Sequence, residues 1–233
     1  MQQVFLGELH SLDYKSNEAY KSLRTNIRFC GSDVRVICFT SSIPNEGKSN
    51  VSFQLAVSFA ESGKKVLFLD ADLRKSVIIG RYKPDIAVNG LTQYLTGQNE
   101  LEEIIYTTNI EHMDIVFTGP VPPNPAELLG CTAFTEMLLT LRREYDYIVI
   151  DTPPLGSVID SVVVAEQCDG VVFVIEAGAI SYKFALRVKE QLQKGKVRIL
   201  GVVLNKVNTK LADYKYYGRK YGKYQKEYYI SNK

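Results

Sequence analysis

Apolar residues in this chain gather into six short runs, at 34–40, 66–70, 113–117, 147–151, 171–176 and 198–204, each rich in β-branched side chains. Runs of this length that are apolar on both faces predict strands of a parallel sheet covered by helices on both sides. The stretches between them supply those helices. Over 49–62, Val51, Leu55, Ala56 and Phe59 share one helical face, and Gly63 follows as a stop. Residues 132–144, 160–167 and 181–194 carry a similar periodicity. This alternation predicts a doubly wound, mostly parallel α/β sheet. Segment 119–125 contains Pro120, Pro122, Pro123 and Pro125, and reads as an irregular loop because proline fixes φ and removes a donor.

Ahead of the first run, 16–29 sets Ala19, Leu23 and Ile27 four residues apart, with Glu18, Lys21, Arg24 and Arg28 on other faces, which predicts an amphipathic helix. Beyond Asn208 the periodicity ends and tyrosine alternates with lysine. The expected organisation is an N-terminal segment 1–33, one folded domain 34–208 and a tail 209–233; the length of 233 residues suits one α/β domain.

The chemistry is concentrated where strands end. The segment Ser41-Ser42-Ile43-Pro44-Asn45-Glu46-Gly47-Lys48-Ser49-Asn50 follows a strand and opens a helix, the context of a phosphate-binding P-loop. In such a loop, backbone amides from Pro44 to Asn50 and the helix N-terminus cradle the phosphates. Lys48 reaches the β and γ oxygens, and the Ser49 hydroxyl ligates Mg²⁺. Ser42 stands where the consensus has its first glycine. Two further strands end in Asp70-Ala71-Asp72-Leu73-Arg74 and Asp151-Thr152-Pro153-Pro154. Open α/β sheets bind ligands outside the carboxyl ends of their strands, so Asp72 and Asp151 are candidates to hold Mg²⁺ and its waters. Asp70 is a candidate proton acceptor for an incoming hydroxyl. A lone aspartate at a strand end is more often a cap; three beside a P-loop reverse that preference. Asn205 and Lys206 follow the last strand, where they flank a bound adenine or serve as ordinary loop residues.

Charge refines this picture. The chain carries a net charge of +2. Over 210–233, seven Lys and Arg residues oppose Asp213 and Glu227, which gives +5 locally and −3 elsewhere. The four cysteines have no metal-ligand spacing and are expected as reduced thiols. No apolar run reaches the roughly 20 residues of a membrane helix, and the first residues lack a secretory pattern.

Taken together, the P-loop, the acidic motif 67–74, the strand 148–154 and the segment 122–129 resemble, in order, the bacterial protein-tyrosine kinases of capsule and exopolysaccharide synthesis. That family is a branch of the Min/Par-type P-loop ATPases. The resemblance spans nearly the whole chain. It implies an ATP- and Mg²⁺-dependent kinase in which Lys48, Asp70, Asp72 and Asp151 carry catalysis. It implies autophosphorylation in trans of the tail tyrosines Tyr214, Tyr216, Tyr217, Tyr221, Tyr224, Tyr228 and Tyr229, which are seven of the fifteen in the chain. Implied partners are a transmembrane activator of polysaccharide export that recruits the cytoplasmic chain to the membrane, a cognate tyrosine phosphatase and other copies of the chain in a ring, with no nucleic acid. The family's assembly motif Glu-x-x-Arg-x-x-Arg is met by Glu18 and Arg24, with Lys21 at the middle position. Lysine lacks the planar two-pronged contact of arginine there. Ser76 stands where relatives often have proline, which implies a local change of turn.

Two other readings compete. A positioning ATPase would cycle on a membrane with the basic tail as its anchor. Such ATPases carry a signature lysine at the second loop position, where this chain has Ile43. A nucleotide-sensing adaptor without catalysis would not need the intact Lys48, Ser49 and three aspartates.

Overall fold

The computed structural model describes residues 2–9, 12–195 and 197–208. In chain order the elements are β1 (Gln2–Val4), α1 (Tyr14–Phe29), β2 (Val36–Ser41), α2 (Lys48–Ala60), β3 (Val66–Asp70), α3 (Ile78–Tyr82), α4 (Leu91–Leu95) and α5 (Leu101–Ile104). There follow β4 (Ile105–Thr108), β5 (Met113–Val116), α6 (Pro125–Leu129), α7 (Thr132–Glu144), β6 (Tyr147–Asp151), α8 (Asp160–Ala165), β7 (Gly170–Glu176), α9 (Tyr182–Lys194) and β8 (Ile199–Asn205). The eight strands form one sheet in the order β1-β4-β5-β3-β6-β2-β7-β8. Every pairing is parallel except β4 with β5.

Alternate residues of the central strands point to opposite faces, and both faces are buried. Val36, Cys38, Leu67, Leu69, Ile148 and Ile150 pack under α7, α8 and α9 with Phe134, Val164 and Leu192. Ile37, Phe39, Val66, Phe68 and Val149 pack under α2 with Phe53, Ala56 and Phe59. Water is thereby excluded from the whole centre of the sheet, so the polar groups of the site collect at the strands' carboxyl ends.

The doubly wound sheet agrees with the periodicity, and the differences have physical causes. Strand β1 holds three residues, two of them exposed glutamines, and β4 begins directly after α5 without a loop; neither offers a period to read. Helices α3 to α6 are four or five residues long, shorter than two turns. The proline loop gives way to α6 at Pro125, where a first-turn proline loses no bond because that N–H has no partner in a helix anyway. On α1 the ridge that packs on the core is Tyr20, Leu23 and Ile27, while Ala19 is exposed. The N-terminal segment joins the same sheet through β1 and the same core through Val4, Leu6 and Ile27. Among the described residues no helix is long and apolar enough to cross a membrane.

Candidate functional site

The loop between β2 and α2 is built by its own polar residues. Positive φ falls on Asn45, at 69°, and on Gly47, at 88°. Ser42 keeps a negative φ and so needs no glycine. The buried Glu46 carboxylate accepts from the amides of Ser42 at 2.6 Å, Ile43 at 2.9 Å and Glu176 at 3.3 Å. Its side chain therefore holds the loop's shape from within, and the residue is part of the cleft lining. Asn205 Nδ2 donates to the Glu46 carbonyl at 2.9 Å, and Lys206 Nζ donates to the Asn45 carbonyl at 2.6 Å and to Glu176 at 2.7 Å. Both residues expected beside adenine thus hold carbonyls of the loop. Asn50 turns to α1, where its Nδ2 donates to Tyr20 Oη at 3.4 Å.

A Cβ added at Gly47, whose φ is 88°, would collide with Asn205 Nδ2. Together with roughly 1–2 kcal/mol for a side chain in the left-handed region, Gly47→Ala is expected to weaken nucleotide binding by at least about tenfold. Titration with a fluorescent ATP analogue checks this, and unchanged affinity would contradict the loop geometry.

Lys48 is the centre of charge. Its Nζ lies 2.8 Å from Asp151 Oδ1 and 3.1 Å from Ser49 Oγ, with the lysine 5% and Asp151 1% exposed. Ser52 Oγ donates to the same Asp151 oxygen at 2.9 Å. Asp70 is the cross-strand partner of Asp151 in the β3–β6 ladder. Burial, with the Asp151 charge second, pushes the Asp70 carboxyl up to about 8. Burial also raises Asp72, against the pull of Lys48 and the Lys75 amide. The Asp72 amide donates to Asp70 Oδ1 at 3.2 Å, and the Lys75 amide donates to Asp72 Oδ1 at 3.1 Å.

Above these groups opens a cleft of about 280 Å³. Pro44, Asn45, Glu46, Gly47, Lys48 and Ser49 form one side of it, and Asp72 lines it as well. Asp70 and Asp151 lie beneath its floor, at 0% and 1% exposure. The expected proton acceptor therefore does not face an incoming hydroxyl directly, because β3 ends at Asp70 inside the core and the chain reaches the cleft only at Asp72, two residues on. Among the described residues no three His, Cys, Asp or Glu side chains converge as a preformed metal cluster.

Several contributors were not assigned from the sequence. Ser76 does more than alter a turn: its hydroxyl donates a short hydrogen bond to Asp70 Oδ2. Arg74 makes a two-pronged bond to the fully buried Asp160, at 2.7 Å and 3.0 Å, clamping the segment after β3 to α8. Asp160 reads in sequence as an ordinary acidic residue in a helix's first turn. Of the three residues expected to drive assembly, Glu18 and Lys21 pair with each other at 2.8 Å on an exposed face. Arg24 instead hydrogen-bonds the backbone carbonyl and hydroxyl of Ser58 on α2. The seven tail tyrosines lie outside the described residues.

Comparison with known proteins decides the lineage. The AAA domain family matches residues 34–200. The tyrosine-protein kinase CpsD of Streptococcus agalactiae is 43% identical over 209 residues, covering 90% of this chain and 91% of that protein. This chain belongs to the bacterial tyrosine-protein kinase family. The chimerical protein CapA2B2 superimposes on this family member with a TM-score of 0.80 at 31% identity, covering 89% of this chain and 94% of that one. The septum site-determining protein MinD of Pyrococcus horikoshii, solved with Mg-ADP, gives 0.63 at 27% identity, covering 76% and 72%. The kinase family and the MinD-type ATPases thus share the fold, and the likeness to the kinases is the closer of these two.

Proposed function

We propose that this chain transfers the γ-phosphoryl group of ATP to protein tyrosine hydroxyls, first to the tail tyrosines of neighbouring copies, and so controls capsular or exopolysaccharide synthesis and export. The observation that carries the reading is the buried Lys48 on its Asp151 partner at the opening of α2, beside Ser49 and Asp72. The donor set fits Mg²⁺, since the Ser49 hydroxyl and the carboxylates of Asp72 and Asp151 are hard oxygens, and Mg²⁺ completes its shell with water and phosphate. When bound, that ion neutralises charge on the transferring group.

The chain's own groups supply the rest. Loop amides orient the phosphates, and Lys48 exchanges its contact with Asp151 for the phosphate oxygens. Asp72, on the cleft wall, is proposed to accept the hydroxyl proton. Asp70 acts from below by holding the Asp72 amide, and Ser76 fixes the Asp70 carboxylate. A membrane activator, a cognate phosphatase and ring assembly through the face of Glu18, Lys21 and Arg24 belong to this reading, as does recruitment to the membrane. Each tail phosphate adds about −1.5 to −2 charges, so a few of them reverse the tail's +5.

Transfer between copies is tested by mixing a chain truncated after Asn208 with a full-length Lys48→Met chain. Phosphotyrosine is expected on the inactive chain's tail. If it forms only when an active site and a tail share one polypeptide, transfer in trans is wrong.

The alternative, a positioning ATPase, draws on the fold shared with MinD. It predicts hydrolysis without phosphotyrosine.

A further inference from the structure

The wall of the cleft opposite the P-loop is made by the segment that follows β3, and it is cationic. Arg74, Lys75 and Arg81 all line it. Their charges are not equivalent. Arg74 is neutralised by Asp160, as Lys48 is by Asp151. Among the described residues neither Lys75 nor Arg81 has an ion-pair partner. Of the two acidic residues on the lining, Glu46 is turned into the loop against three amides, and Asp72 receives the Lys75 amide rather than its ammonium. The Tyr82 phenol beside Arg81 is neutral and supplies no counter-charge, and burial pushes it further up, to about 12. Two uncompensated positive charges therefore face the cleft from the side away from the P-loop.

Arg81 is also firmly placed. It belongs to α3, and its neighbour Tyr82 stacks on Phe53 of α2 at 3.9 Å and 22°. The same lining also carries an apolar set, Val77, Pro153, Pro154 and Val158, with Ser157 beside it. A flat ring fits such a surface, and an anionic neighbour of that ring would meet Lys75 and Arg81.

We infer that the cleft selects acceptor tyrosines with acidic residues beside them, Lys75 and Arg81 being the specificity-determining pair. This rests on the kinase reading above. It also separates two substrate classes. The chain's own tail, at +5, is disfavoured by the same wall and reaches it through the high effective concentration within an assembly. A free protein substrate has no such advantage and is chosen by its charge.

The test uses the full chain with Mg·ATP and two synthetic peptides, each with a single tyrosine flanked by glutamates or by lysines, and follows tail phosphorylation in the same reaction. Partly exposed ion pairs are worth up to about 1 kcal/mol, so the acidic peptide is expected to show a KM about fivefold lower. Arg81→Gln and Lys75→Gln should each bring the two KM values together, with the melting temperature confirming that α3 still packs. One shared KM for both peptides in the wild-type chain, with the tail phosphorylated, would overturn this inference and leave the kinase reading intact. A raised KM for ATP in Arg81→Gln with the peptide preference retained would also overturn it, by moving that arginine to the nucleotide. No phosphotyrosine on tail or peptides would remove both.

Discussion

A Lys48→Met chain is expected to form phosphotyrosine about 10²–10³-fold more slowly than the wild type, the usual loss when one preorganised charge donor is taken from a transfer site. It should also be less stable, for a separate reason. Lys48 and Asp151 are almost wholly buried against each other, so removing the cation strands a carboxylate in the interior. Breaking a buried pair from one side costs about 3–5 kcal/mol, whereas neutralising both sides costs far less. The double variant Lys48→Met with Asp151→Asn is therefore predicted to recover most of the lost melting temperature and none of the activity. Thermal melts beside phosphotyrosine detection check this. Equal melting temperatures for wild type and Lys48→Met would show that the pair is not the buried contact described here.

The second large effect concerns Asp70. Its carboxyl titrates at about 8 in the fold against 3.8 for the free side chain, so across that window the native chain binds a proton that the unfolded chain does not. Stability from this group is then highest at the acid end, falls as pH rises through the window and is lowest above about 8. An Asp70→Asn chain never carries the buried charge. At pH 8 it should melt several degrees above the wild type, since about 1 kcal/mol moves Tm by roughly 2–4 °C at this size. Near pH 4 the two should coincide. Phosphotyrosine formation should nevertheless fall by at least about tenfold, because the carboxylate under Asp72 is gone. Stability is given up at this position for function. A melting difference that does not grow with pH would contradict the burial and charge assigned to Asp70.

These two residues also show what a sequence discloses. The P-loop and the acidic strand ends were legible because their meaning lies in short spacing: a strand, a turn and a helix within about fifteen residues, or a carboxylate just after an apolar run. The Arg74–Asp160 clamp joins residues 86 positions apart, and Ser76 meets Asp70 only because the chain turns back after β3. No local pattern marks either. Glu46 lies in the predicted loop, but its carboxylate turns inward onto the amides of Ser42 and Ile43 and reaches that of Glu176 at the far end of β7, a contact no local spacing marks. Ser42 departed from the consensus without harm because the loop's left-handed residues lie at Asn45 and Gly47. The sheet's centre was legible from two-faced apolar runs. Its β1–β4 edge was not, since β1 is two exposed glutamines and a valine, and β4 follows α5 with no break in the sequence to set it apart.

The central claim, that this site makes phosphotyrosine, is tested most directly by the intact mass of the purified chain after incubation with Mg·ATP, alone and with the cytoplasmic peptide of a membrane activator. The account predicts successive phosphate additions that map to tyrosines beyond Asn208 and vanish in Lys48→Met. ATP consumed under both conditions with no phosphate on any tyrosine would contradict it and favour the positioning ATPase.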